Sequence, residues 1–127
     1  MANKTTLEEL NNLIFPQDYT LDFSKDVWWV ATCDNKPVGF CGLAEFRNYV
    51  FLKRAGVLSD YRGRRLHRHL IRVRLQYAKK LGFEQAITYT LINNTASSNN
   101  LIQAGFRLYL PENRWVGNDA LYWVKWL

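Results

Sequence analysis

No stretch of this sequence approaches the roughly 20 consecutive apolar residues that span a bilayer. Its first residues, Met1-Ala2-Asn3-Lys4-Thr5-Thr6-Leu7-Glu8-Glu9, lack the apolar core of a secretory signal. The expectation is a cytoplasmic protein with no membrane segment. Cysteine is scarce: Cys33 and Cys41 fall in a predicted hairpin, without metal-ligand spacing and without a nearby His, so they read as buried or half-buried thiols. Neither a disulfide nor a metal site is expected. Repeats and low-complexity segments are missing too, so residues 1–127 read as one domain, and a content of 48% hydrophobic and 22% charged residues suffices for a core.

Acidic residues are nearly absent from residues 53–80, where Asp60 stands against ten Lys or Arg, a local charge of +9 in a chain whose total is +6. The rest of the chain is therefore slightly acidic. Such concentration implies an anionic partner for one face, either a phosphorylated small molecule or a nucleic acid, with a simply solvated helix face as the alternative.

What is present alternates between two periodicities. Residues 6–13 read as a short helix capped by Thr6, with Leu7, Leu10, Leu13 and Ile14 on one face and Phe15-Pro16 at its end. Residues 27–32, 38–44 and 49–58 read as strands of an antiparallel meander, the first two joined by the turn Asp34-Asn35-Lys36-Pro37. From Arg64 the period becomes 3.6: Leu66, Leu70, Val73, Tyr77 and Leu81 line one face, widened by Ile71 and Ala78, and Gly82 closes the helix. A strand at 85–91, a helix at 95–104 capped by Asn94, and strands at 106–110 and 120–126 complete an α+β pattern. The strand–helix–strand unit around residues 64–81 requires a parallel crossover, so the sheet is mixed.

A strand followed by a Gly-containing loop and a helix gathers free backbone N–H groups at the positive end of a helix dipole. Here the loop is Arg62-Gly63-Arg64-Arg65-Leu66-His67, with Arg68 following, so formal positive charge surrounds those amides. The loop lacks the Gly-Lys-Ser/Thr ending of a nucleotide P-loop and the three glycines of a dinucleotide fingerprint. A pyrophosphate of another cofactor remains open.

Four features carry a resemblance: the turn Val57-Leu58-Ser59-Asp60-Tyr61-Arg62-Gly63, the basic loop after it, Asn94 with Ser97 followed by Gly105-Phe106, and the aromatic last strand Ala120-Leu121-Tyr122-Trp123. In order and spacing, residues 27–127 resemble the GNAT superfamily of acetyl-CoA-dependent N-acetyltransferases. The resemblance implies a mixed, mainly antiparallel sheet with a central splayed parallel pair and helices on both faces. It implies that residues 55–58, Val57 and Leu58 among them, expose backbone to a pantetheine arm. It places a pyrophosphate at Arg62, Gly63, Arg64, Arg65, Leu66, His67 and Arg68, and assigns Asn94 and Ser97 to the same cofactor. Asn94 is equally readable as a plain helix cap, and its amide can serve both roles.

The implied reaction is direct attack of a neutral amine on the acetyl thioester, with an oxyanion held by a backbone N–H near Val57. Where many members have a carboxylate, this strand has Lys53 and Arg54. Glu45 is the nearest carboxylate by topology, and a water relay is the alternative base. The family's tyrosine acid is matched by Leu101, leaving Tyr89 or Tyr109 for that role. Arg65 and His67 stand where the family has small residues. With helical dihedrals their side chains would point outward, Arg65 would add charge beside the phosphates, and His67 and His69 would be surface or loop-packing residues. The short N-terminus implies an acceptor groove open to a protein or small-molecule amine, or one completed by a second subunit in a homodimer. The competing reading is a non-catalytic module that binds CoA or nucleic acid through its basic helix.

Overall fold

A computed structural model describes residues 2–18 and 21–127. Its elements are α1 (Lys4–Ile14), β1 (Val27–Cys33), β2 (Lys36–Glu45), β3 (Tyr49–Val57), a 3-10 turn (Ser59–Tyr61), α2 (Leu66–Lys80), β4 (Gln85–Leu91), α3 (Thr95–Gln103), β5 (Arg107–Tyr109) and β6 (Ala120–Trp126). The six strands lie in the order β1-β2-β3-β4-β6-β5. Only β3 and β4 are parallel; the other four pairings are antiparallel. This is the mixed α+β architecture expected from the sequence. Among the described residues no helix is long and apolar enough to cross a membrane.

One face of the sheet is covered by α1. Its Leu7 and Leu10 pack with Phe23, Trp28 and Phe40, and its end lies so close to β3 that a Cβ on Gly56 would come within 2.7 Å of Ile14 and Phe15. The helix begins earlier than expected, because the cap is Asn3 and not Thr6. The Asn3 Oδ1 accepts from the amides of Thr5 and Thr6 at 2.8 and 3.3 Å, which places Thr6 inside the first turn. The other face carries α2 and α3, whose Ile71, Ala78 and Leu101 meet Leu43, Leu52, Ala86 and Trp123 in the main core, while Leu70 packs with Cys41 and Val57. Leu81, expected on that stripe, is 55% exposed as the residue ending α2.

Backbone conformation explains the remaining boundary shifts. Asp34 and Asn35 both have positive φ, which makes them a two-residue hairpin turn and assigns Lys36 and Pro37 to β2. Gly63 (φ 80°) and Arg65 (φ 62°) are left-handed, so α2 cannot start at Arg64 and begins at Leu66.

Two irregularities in β3 shape the site. Cys41 pairs with Ala55 and Leu43 with Leu52, so Gly42 opposes both Lys53 and Arg54 in a β-bulge. Both bulge side chains find partners, Lys53 just before β1 and Arg54 just after α1. Lys53 Nζ lies 2.6 Å from Asp26 and over the Trp28 ring, while Arg54 bonds Asp18 at 2.7 Å and lies over Phe15. The parallel pairing of β3 with β4 is also brief. It runs from Tyr49↔Gln85 to Phe51↔Ile87 and then ends, with Thr88 Oγ1 donating to the Leu52 carbonyl at 2.9 Å where the strands part.

Candidate active site between the splayed strands

Past Leu52 and Thr88 the two strands enclose a cleft of about 370 Å³. Residues 51–55 form one wall and residues 88–91 the other. Its floor comes from α2, where His67, Ile71 and Arg74 share one helix face by their spacing, and from Asn94, Ser97, Asn100 and Leu101 of the α3 segment. Phe15, Asp18 and Leu21 close the α1 side.

The amide cluster lies at the start of α2. No amide of residues 63–68 meets an acceptor among the described residues, and Arg65, in the capping position, makes no side-chain cap bond. These N–H groups and the helix dipole make an anion site. Arg62 Nε donates to the Val57 carbonyl at 3.2 Å and Arg64 lies over the Tyr61 ring, whereas Arg65 and Arg68 are exposed and unpartnered among the described residues. The wider basic face is smaller than its ten residues suggest. Lys53 and Arg54 are in ion pairs and Arg74 is buried, so none of the three serves an external anionic surface.

Arg65 departs from the helical dihedrals that would let its side chain point outward without cost. A non-glycine residue at φ 62° carries roughly 1 kcal/mol of backbone strain. Arg65→Gly and Arg65→Ala both remove the guanidinium, so their difference isolates the backbone. The glycine variant is expected to be more stable than the alanine variant by about 1 kcal/mol in urea unfolding. The opposite order would mean helical dihedrals at this position.

His67 does lie within α2, and it faces the cleft. Burial lowers its pKa, and the charges of Arg74 and Arg62 lower it further, so its ring is neutral at pH 7. On acidification the unfolded chain takes up this proton first, near pH 6.5, and the folded protein only at lower pH. Stability is therefore full above about pH 6.5 and declines as pH falls toward the folded value. Urea midpoints between pH 7.5 and 5 should show this decline in the wild type and a shallower one in His67→Gln. Equal slopes would contradict it.

The sequence-derived residues separate into three groups. Asn94 and Ser97 line the cleft, and Asn94 Oδ1 caps α3 by accepting from the Ser97 amide at 3.2 Å, which leaves its side-chain N–H₂ without a protein acceptor among the described residues. Tyr89 also lines the cleft, 37% exposed and stacked beside Phe51 with centroids 6.3 Å apart. Val57 and Leu58 lie beyond the cleft wall, and the Leu58 amide is already given to the Val38 carbonyl at 2.8 Å. Glu45 does not line the cleft, and its carboxylate accepts from Tyr77 Oη at 3.2 Å. Tyr109 packs edge-on against Tyr122, also away from the cleft. Sequence reasoning passed over Arg74, Thr88 and Asp18; only the i, i+4, i+7 spacing of His67, Ile71 and Arg74 signalled the orientation of Arg74.

The sequence matches the acetyltransferase (GNAT) family over residues 4–106 and matches no curated protein. Among solved structures, the ribosomal-protein-S18-alanine N-acetyltransferase from Escherichia coli is 16% identical, with 98% of this chain and 90% of that chain covered and a TM-score of 0.81. A Bacillus subtilis acetyltransferase in complex with CoA is 15% identical, with 100% and 95% covered and a TM-score of 0.80. The IAA acetyltransferase from Bacillus cereus is 16% identical, with 94% and 91% covered and a TM-score of 0.77. At these identities the structures attest a shared fold, while the family match spans most of the chain and includes the splayed pair and the amide cluster. The chain belongs to the acetyltransferase (GNAT) family.

Proposed function

We propose that this protein transfers an acetyl group from acetyl-CoA to an amine. The observation that carries the reading is the pairing of a cleft between splayed parallel strands with unsatisfied amides at the adjoining helix start. In this reading the amides of residues 63–68 take the pyrophosphate, and Arg65 and Arg68 add charge-assisted bonds to it. The cleft takes the pantetheine arm, toward which the free side-chain N–H₂ of Asn94 donates.

The acceptor follows from what the cleft wall lacks. Asp18 is the one carboxylate on that wall among the described residues, and Arg54 already holds it. A lysine side chain, with a pKa near 10.4, would need a strong base to become nucleophilic, whereas an α-amino group, near 8, loses its proton to water readily at neutral pH. The acceptor proposed is therefore an α-amine, reached through the open side beside Phe51 and Tyr89. Tyr89, which lines the cleft, is the residue assigned in this reading to return a proton to the departing thiolate.

Thiol release from acetyl-CoA, measured with peptides bearing a free α-amine and with Nα-blocked lysine peptides, tests this directly. The expected result is release with the former, rising with pH through the amine pKa, and little with the latter. Absence of release with every amine from a protein that binds CoA would leave the non-catalytic reading instead.

A further inference from the structure

Arg74 is 3% exposed, yet no carboxylate approaches it among the described residues. A buried guanidinium is tolerated only when its hydrogen bonds are met, and here backbone carbonyls meet most of them. Nε donates to the Leu70 carbonyl at 3.0 Å, and Nη1 donates to the carbonyls of Gly42 and Lys53 at 3.2 and 3.1 Å. The latter two belong to the β-bulge, where the regular ladder between β2 and β3 is broken. Arg74 thus fastens the irregular part of β3 to α2.

Nη2 is left over. It has no protein acceptor among the described residues, it is not sealed from solvent, and its residue lines the cleft. Arg74 reaches the Lys53 carbonyl, next to Leu52 where the strands part, and the same cleft extends to His67 at the start of α2, beside the amide cluster. The helix rises about 1.5 Å per residue, so Arg74 stands roughly 12 Å along α2 from Leu66, within reach of an extended pantetheine arm. A cofactor whose phosphates occupy residues 63–68 presents its opposite, reactive end here.

We propose that Arg74 is a catalytic residue, its Nη2 donating to the acyl oxygen of the thioester and stabilising the oxyanion formed there. The step balances within the two substrates. The amine lone pair forms the C–N bond as the carbonyl π pair moves onto oxygen, where Nη2 holds it. When that pair returns, the C–S bond breaks, the thiolate leaves with its electrons and takes a proton from Tyr89, and the amine proton passes to water, from which Tyr89 regains its own. A charged donor stabilises a developing negative charge more strongly than a neutral amide does. This inference rests on the acetyl-CoA reading of the cleft.

The test binds acetyl-CoA labelled with ¹³C at the thioester carbonyl to the wild type, Arg74→Met and Arg74→Lys. Isotope-edited infrared spectra are recorded alongside the CoA Kd and the single-turnover transfer rate. The carbonyl stretch is expected to fall in frequency on binding to the wild type, less so in Arg74→Lys, and not in Arg74→Met. The transfer rate should drop about 10²–10³-fold in Arg74→Met while the CoA Kd stays within about threefold. If Arg74→Met does not fold, the wild type and Arg74→Lys decide by the same stretch and rate. Equal stretches and rates in the wild type and the folded variants would overturn the proposal while leaving cofactor binding intact. So would a preference for malonyl-CoA over acetyl-CoA that disappears in the variants, since Nη2 would then serve an acyl carboxylate. Failure of the wild type to bind CoA at all would overturn the cofactor reading itself.

Discussion

Replacing Arg65 and Arg68 together with glutamate is expected to weaken CoA binding about a thousandfold in titration calorimetry, at a lost contribution of roughly 2 kcal/mol per charge-assisted bond. The expectation depends on where these side chains stand. Both are exposed beside amides that meet no protein acceptor, and neither has a partner of its own among the described residues. Folding should therefore be little affected, with a stability change within about 0.5 kcal/mol, so the loss would report on the anion site. Added salt should weaken wild-type binding and leave the reversed variant nearly unchanged. A loss below about threefold would place the phosphates elsewhere.

The second large effect concerns the other side of the cleft. Phe40 is fully buried, and its ring lies 6.2 Å from those of Phe15, Phe23 and Trp28. That cluster is how α1 is held to β1 and β2, because Leu7 and Leu10 pack into it. Truncation to alanine removes the ring and leaves a cavity whose walls collapse only in part, at a cost of about 3–5 kcal/mol. Against a total stability of about 5–15 kcal/mol, this approaches unfolding at physiological temperature. Urea unfolding should show a midpoint lowered accordingly with an unchanged slope. Since α1 brings Phe15 to the cleft, and Asp18 and Leu21 follow it, amine turnover should suffer more than CoA binding in whatever fraction remains folded. A cost near 1 kcal/mol would mean that the aromatic cluster does not hold α1.

The order of elements was legible in the sequence because each carries a local cause. Period-two strands, a stripe of period 3.6 on α2, a glycine after each of α2 and α3, and Asn94 at the start of α3 need no tertiary partner to be recognised. Residue order around 57–63 and 94–106 then pointed to the splayed parallel pair. What escaped was decided by partners distant in sequence. The bulge at Lys53 and Arg54 exists only against Gly42, and it turns two successive side chains toward the α1 side. Arg74 falls by helical count on the apolar stripe between Ile71 and Ala78, but its charge hides that, since the carbonyls that make its burial tolerable come from two strands. Glu45 seemed close by topology, yet it does not line the cleft, and its carboxylate accepts from Tyr77. The left-handed φ of Arg65 occupies a position where glycine would have announced the turn.

The central claim is that the wedge between β3 and β4, with the amides of residues 63–68, is a CoA site. Thermal unfolding with and without CoA tests it most directly. Ligand at a hundredfold excess over Kd stabilises the folded state by about 2.7 kcal/mol, which for a domain of this size raises the midpoint by about 10 °C. The account predicts a rise of that order, lost in the Arg65→Glu/Arg68→Glu variant. No rise with millimolar CoA or acetyl-CoA would contradict it.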